Sequence, residues 1–442
     1  MASSKPAISF IGLGAMGFGM ATHLVKQGYR VTGFDVWQPT LDRFREAGGF
    51  TATTPAEAVA DKNYCICMVA TAQQAQAVLF EGPEPAVPAL PSGASLLLCS
   101  TVPCAYVQNL GKQLAESGRA DILLIDAPVS GGSARAAEGT LSIMAGSSDE
   151  ALEKGKFLLQ ELADEHKLYI IKGGVGAGSN MKMVHQVLAA NHILSTSEAM
   201  GFAARLGLNL DTTLKAILQS AGWAWILDHR GSRILTGFKP IASALTIILK
   251  DTGIITSEAM RHGFPTPMTS TAEQVYLSGL GLGYGPDDDS GMIRVYTEGK
   301  DKVGPVQGQA ESEEGKLGLV VALLKGIHLC SAAEALSFAR TCGLDLDQVF
   351  DLCINAAGGS AMLRSVGPDI MKLYCGQDLA TDTEGLGALA QETQAAIEEG
   401  RRLKVPLYLG SQALNIMRLA LQHASASVEK VPKAIVAKVW GV

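Results

Sequence analysis

Hydrophobic and polar positions change rhythm midway along this 442-residue chain. Over the first 175 residues short apolar runs alternate with helical patterns. The runs are Ala7–Ile11, Tyr29–Phe34, Tyr64–Ala70, Leu96–Ser100, Ile122–Asp126, Leu141–Ala145 and Leu168–Ile171. They read as strands, and the alternation predicts an open parallel sheet with crossover helices. From Ser179 to Leu206 the pattern becomes apolar nearly all round, as in a buried helix, with Gly207 as its C-cap. Asp211 is the expected cap of the next helix, and more helices follow through Tyr296. Residues 299–316 are polar, charged and glycine-containing, and read as a linker.

Beyond the linker the chain repeats the helical segment that precedes it. HILSTSEAMGFAARLGLNLD begins at His192 and HLCSAAEALSFARTCGLDLD begins at His328, so that Glu198 meets Glu334, Gly207 meets Gly343 and Asp211 meets Asp347 without a gap. Matches on cap and packing positions indicate a duplicated all-helical domain. The predicted organisation is therefore an α/β domain over 1–175, a first helical domain over 176–298, the linker 299–316, and a degenerate copy over 317–442. The second copy lacks the polar face of the first. In the same register Lys182 meets Gly318, His185 meets Val321, Gln186 meets Ala322 and Trp225 meets Ala361. Aligning Pro265 with Pro406 sets Gln391 opposite Lys250. A helical domain that dispenses with these side chains shows that the fold does not require them, which marks them as candidates for chemistry.

Composition narrows the partners. With 47% hydrophobic and 18% charged residues the chain reads as an ordinary globular protein. A net charge of −7 with no basic stripe argues against nucleic acid and anionic membranes as partners. No CxxC pair or Cys/His cluster with metal spacing occurs among the eight cysteines, so no metal is expected and a reducing compartment fits. Neither a secretory signal, a run approaching a membrane span, nor a peroxisomal signal in the terminal KVWGV is read, which makes the cytoplasm the expected location.

The chemistry is concentrated in a few turns. Gly12-Leu13-Gly14-Ala15-Met16-Gly17 follows a strand and opens a helix, and Asp35 stands at the tip of the next strand. Together these form a dinucleotide fingerprint, with backbone N–H groups for a pyrophosphate and a carboxylate for the adenosine ribose. Asp35 would repel a 2′-phosphate, and Val36, Trp37 and Gln38 offer no arginine, so NAD is expected rather than NADP. Val69, Thr71, Thr101 and the Ser130-Gly131-Gly132 turn fall at carboxyl ends of strands, where ligands of such sheets lie. Three glycines (Gly174, Gly176, Gly178) then precede a helix whose early turns carry Lys182, His185 and Gln186, at offsets that share one face. A lysine near a helix N-terminus is disfavoured as a cation and becomes a usable proton acceptor. Further on, Lys250-Asp251 interrupts an apolar helix, and Trp223 and Trp225 mark a helix junction.

With IGLGAMG, the STVP turn, DAPVSGG, GxGxxxKMVHQ and LKDTG in order, residues 7–296 resemble the β-hydroxyacid dehydrogenase superfamily. The His185-Gln186 pair, where most members have Asn-Asn, and GYGPDDDS (283–290) look most like its L-threonate dehydrogenase branch. The resemblance implies an α/β Rossmann domain followed by all-α domains of the 6-phosphogluconate dehydrogenase C-terminal type. It implies Ser130, Gly131 and Gly132 for a substrate carboxylate, Lys182 for proton transfer, Gln186 for substrate orientation and Lys250 near the nicotinamide. His185 and Trp225 are taken as further substrate contacts. The expected reaction is NAD-dependent oxidation of a small hydroxy acid to the oxo acid, or its reverse. An imine or carbonyl reductase and a non-catalytic NAD(P)-binding interaction protein are the rival readings. Because the duplicate can pair with the first helical copy inside one chain, a monomer or dimer is expected.

Overall fold

The computed structural model describes residues 5–297, 312–379, 384–422 and 431–441. The chain divides into two compact units, Met1–Met183 and Val184–Val442.

Nine strands form the sheet of the first unit: β1 (Ala7–Ile11), β2 (Arg30–Phe34), β3 (Phe50–Thr51), β4 (Tyr64–Cys67), β5 (Ser95–Leu98), β6 (Leu123–Asp126), β7 (Val129–Ser130), β8 (Leu141–Ser147) and β9 (Ala163–Ile170). Their order is β3-β2-β1-β4-β5-β6-β8-β7, with β9 on β8. From β3 to β6 all pairs are parallel, as the alternation predicts. Successive side chains serve opposite faces of this doubly covered sheet. Ile8, Phe10, Ile66 and Leu97 enter one core, whereas Ile11, Cys65, Cys67, Leu96 and Leu98 enter the other. The parallel expectation fails at β8, which runs antiparallel to both β6 and β7. The helix between β7 and β8 (Gly132–Glu138) stops at Gly139, whose positive φ of 69° turns the chain back. Strand β4 ends at Cys67 rather than Ala70: Met68 N–H still donates to the Ile11 carbonyl, but the amides after it leave the ladder. Val69 N–H donates to Ser100 Oγ and Ala70 N–H to Gln74 Oε1.

The second unit is helical, and its two copies correspond element by element. Helices Leu210–Leu218, Trp225–Leu235, Leu245–Arg261 and Pro267–Gly281 are matched by Leu346–Ile354, Ala361–Tyr374, Leu386–Leu403 and Tyr408–Gln422. Each copy is led by a 29-residue helix, Ala177–Arg205 in the first and Glu313–Thr341 in the second. The helix Glu313–Thr341, capped by Ser312, takes in the last residues assigned to the linker, while 299–311 lie outside the described residues. It is also long and apolar enough by composition to cross a membrane, contrary to the expectation that no run approaches a span, yet 83% of its most apolar window is buried within the protein. The cap of Leu210–Leu218 is Asn209, whose side chain accepts from Thr212 N–H; Asp211 instead lies in the first turn and pairs with Lys215. Gly207, at φ 79°, closes the preceding helix as expected.

The copies meet along a seam that obeys two-fold symmetry. The His192 and His328 rings lie 4.5 Å apart. Ala224 and Ser360 form a single antiparallel bridge, with Trp225 N–H donating to the Gly359 carbonyl and Ala361 N–H to that of Trp223. Glu198 accepts from the N–H groups of Leu409 and Gly410 at 3.0 and 2.9 Å, in the first turn of helix Tyr408–Gln422. Its counterpart Glu334 accepts from Met268 and Thr269 at 2.7 and 2.9 Å, in the first turn of Pro267–Gly281. Each copy thus caps a helix of the other, the self-complementary pattern of an isologous interface enclosed in one chain.

Candidate active site

The glycine-rich turn after β1 is built to let something approach its backbone. Gly12 has φ 94°, and a Cβ there would fall 2.4 Å from the Met68 carbonyl oxygen. A Cβ on Gly17 would fall 2.0 Å from the Gly12 carbonyl, so helix Ala15–Lys26 can start close behind β1 only with glycine at that position. Gly14 and Ala15 are exposed, and a Cβ on Gly14 would meet nothing within 4 Å. The helix has no side-chain cap and no acid in its first turn, which leaves its N-terminal N–H groups for an anion. Asp35 accepts from Leu13 N–H at 2.7 Å and Trp37 N–H at 2.9 Å. The Leu13 amide therefore turns toward this carboxylate and fixes its orientation. Val36 and Trp37 beside it are exposed. These residues fit a dinucleotide with a free ribose diol. Met16 packs against the core behind the loop, and Val69, Thr71 and Thr101 follow β4 and β5 at the carboxyl edge. Thr71 caps helix Ala72–Gln76 through Gln74 N–H.

Ser130 ends β7, and Gly131 (φ 139°) and Gly132 (φ 78°) turn the chain into the next helix. A Cβ on Gly132 would meet nothing, so its backbone is open. Within the same unit, the helix that carries Lys182 begins against the sheet. Asp126, at the end of β6, accepts from Ser179 N–H and Oγ–H, both at 2.7 Å. Burial pushes its carboxyl up to about 6 despite those donors. The sequence places Lys182 near the positive end of a helix; the structure sets a carboxyl against that end.

On this helix Lys182, His185 and Gln186 are all buried. Their surroundings differ from simple solvation. Gln186 Oε1 faces His185 Nδ1 at 3.0 Å, and Gln186 Nε2 donates to Asp251 Oδ2 at 2.5 Å. Asp251 also pairs with Lys250 at 3.0 Å. A continuous polar chain, His185–Gln186–Asp251–Lys250, therefore joins two helices of the second unit. Both ends of the Gln186 amide are committed within it, so the amide has one orientation. In the sequence Asp251 is only a charge in an apolar helix, and Asp126 only the first letter of DAPVSGG. The company each keeps is decided by chain segments remote in sequence. Trp225 stands at the seam of the two helical copies with its ring stacked on His229, centroids 4.9 Å apart. The acids of GYGPDDDS are fasteners: Asp287 pairs with Arg294, Asp288 accepts from Ala242 N–H and Ser290, and Asp289 is buried against Arg230. No cluster of three or more potential metal ligands occurs among the described residues.

Residues 7–173 match the family described as the NAD binding domain of 6-phosphogluconate dehydrogenase. Residues 176–296 and again 316–434 match that described as NAD-binding of NADP-dependent 3-hydroxyisobutyrate dehydrogenase. The second match falls once on each helical copy. The chain is 37% identical to L-threonate dehydrogenase of Cupriavidus necator over 65% of its own length and 95% of that protein. A solved structure of 3-hydroxyisobutyrate dehydrogenase from Salmonella typhimurium aligns with a TM-score of 0.61 at 31% identity, covering 66% of this chain and 100% of that one. Plasmodium falciparum 6-phosphogluconate dehydrogenase, only 14% identical, shares the fold over 95% of this chain and 93% of its own, with a TM-score of 0.66.

The chain belongs to the β-hydroxyacid dehydrogenase superfamily, the 6-phosphogluconate and 3-hydroxyisobutyrate dehydrogenase-like proteins. It is an NAD-dependent hydroxyacid dehydrogenase, an oxidoreductase acting on CH–OH groups, with a duplicated helical domain.

Proposed function

We propose that this dehydrogenase oxidises a small polyhydroxylated carboxylate, a four-carbon sugar acid such as threonate, with NAD as the acceptor. The observation that carries the reading is the polar chain His185–Gln186–Asp251–Lys250, buried as far as Asp251. An imidazole and an amide locked by a carboxylate present oriented polar groups, which suit a substrate with hydroxyls on neighbouring carbons better than one with a methyl branch. Such a site loses much of its binding when a matching hydroxyl is missing. The 37% identity to a protein named L-threonate dehydrogenase supports the same choice.

In this reading Ser130, Gly131 and Gly132 take the carboxylate through a hydroxyl and open backbone. Lys182, as the neutral amine, accepts the hydroxyl proton while the C–H bond gives up its hydride; in reverse its ammonium protonates the carbonyl oxygen. Gln186 and His185 orient the substrate, and Trp225 covers it. Bound NAD supplies the hydride acceptor. Gly12, Gly14, Ala15, Met16 and Gly17 form the turn for its diphosphate, Leu13 serves through the Asp35 carboxylate that its amide holds for the ribose, and Val69, Thr71, Thr101 and Lys250 border the remainder. The working domains are 1–175, 176–298 and 317–442. Because the two-fold seam is closed within the chain, the protein is a monomer or dimer.

The test is NAD reduction against a panel of three- to five-carbon hydroxy acids. The reading expects the highest kcat/KM for a 2,3-dihydroxylated four-carbon acid. A preference for 3-hydroxyisobutyrate would overturn the substrate class, and turnover of amines alone would overturn the reaction.

A further inference from the structure

Asp126 has no part in the roles above, yet its position is unusual. It is fully buried, at the carboxyl end of β6. Both of its oxygens are taken by Ser179, at 2.7 Å each, in the first turn of helix Ala177–Arg205. Ser179 precedes Lys182 by three positions, so the two lie on the same face of that helix, one turn apart. In the other direction, Asp126 continues through Ala127, Pro128 and Val129 into the Ser130–Gly132 turn. One carboxyl therefore stands on the short stretch of chain that ends in the turn and grips the helix that carries the lysine.

The helix start is pressed onto the sheet as well. A Cβ on Gly178 would lie 2.3 Å from the Met144 carbonyl oxygen and 2.6 Å from that of Asp126. A Cβ on Gly146 would lie 2.5 Å from the Gly174 carbonyl oxygen. Stability alone does not call for a buried acid here, because serine or asparagine satisfies helix N–H groups nearly as well at less desolvation cost. What a carboxylate adds is a pair of short, charge-assisted bonds that fix the helix start in one place.

We propose that Asp126 is a positioning residue that holds Lys182 in register with the Ser130–Gly132 turn. The inference rests on Lys182 being the proton carrier and the turn being the carboxylate site. A displacement of about 1 Å at a reacting group costs on the order of 10²-fold in rate, so a loosened helix start registers in turnover before it registers in cofactor binding.

The experiment compares Asp126→Asn, Ser179→Ala and the double variant of the full chain, with Lys182→Met alongside. It reads kcat and KM for the best acid of the panel, NADH affinity by fluorescence, and melting temperature. The expected result is a kcat loss of about 10- to 100-fold in each single variant, with NADH affinity within about two-fold. The double variant should lose no more than the worse single one, since both remove the same link. If Asp126→Asn does not fold, Ser179→Ala, which removes one bond of the two, carries the comparison. A kcat within two-fold of wild type, or losses that track NADH affinity or multiply in the double variant, would overturn the positioning role. Turnover retained in Lys182→Met would instead sink the reading of the lysine, and the inference with it.

Discussion

At the scale of single residues, the candidate site residues are groups whose freedom has been removed. Lys182 is buried on the helix that also presents Gln186, and Gln186 is held at both ends of its amide. Replacing Lys182 by Met keeps length and removes the proton acceptor. Turnover should fall by ~10²–10⁴, with NADH affinity changed only a few-fold, as steady-state kinetics and fluorescence titration will show. Asp35 gives a second test. Its carboxylate is steered by the amides of Leu13 and Trp37 rather than by a cation. Asp35→Ala should therefore narrow the ratio of kcat/KM for NAD over NADP; an unchanged ratio would remove Asp35 from cofactor choice. The candidate lysine and glutamine were legible in the sequence because the second copy lacks them. Asp251, which locks the glutamine, was not legible as a site residue, because its partner lies 65 positions away.

At the scale of elements, caps and close approaches decide where helices begin. Asn209 caps Leu210–Leu218 from outside, and its counterpart Asp345 caps Leu346–Ile354 in the second copy. Asp211 makes only an exposed pair with Lys215. Asn209→Ala should lower stability by ~1 kcal/mol, whereas Asp211→Ala should change it little, since exposed pairs contribute weakly. Thermal denaturation of the two variants side by side will check this. The sequence pattern named the helix correctly and its cap wrongly, since both residues are good capping types two positions apart. Backbone geometry made the choice: Asn209 is extended, with φ −72° and ψ 121°. The direction of β8 was equally hidden, because an apolar run carries no sign of which way it runs.

At the scale of the molecule, the seam between helical copies buries two carboxyls, Glu198 and Glu334, and two imidazoles, His192 and His328. Burial pushes the Glu198 and Glu334 carboxyls up to about 7, against the backbone donors that favour their charge. It also pushes His192 down to about 3 and His328 well below its ordinary value, with His192 adding to the effect on His328. The signs are opposite. A raised carboxyl contributes stability below pH 4.5 that is lost as pH climbs to about 7. A depressed imidazole contributes stability above pH 6.5 that is lost on acidification. The double variant Glu198→Gln, Glu334→Gln should carry a fixed cost for mismatched donors but lose the alkaline slope. Its melting temperature should thus gain on wild type between pH 5 and pH 8, and a constant gap would show that neither carboxyl titrates there. Light scattering provides the other test at this scale: a tight tetramer would count against the closed seam as a substitute for association between chains.

The sequence by itself determined the classes of element, the nucleotide fingerprint, the duplication, and which copy keeps polar side chains. All of these follow from periodicity and from glycine and cap residues at short range, which a linear pattern records. Tertiary structure alone decided the direction of β8, the reciprocal caps of Glu198 and Glu334, and the partners of Asp126 and Asp251. Those outcomes depend on which distant segments share a buried space, where an unpaired carboxyl is costly and each one must find its donors in whatever the fold brings near.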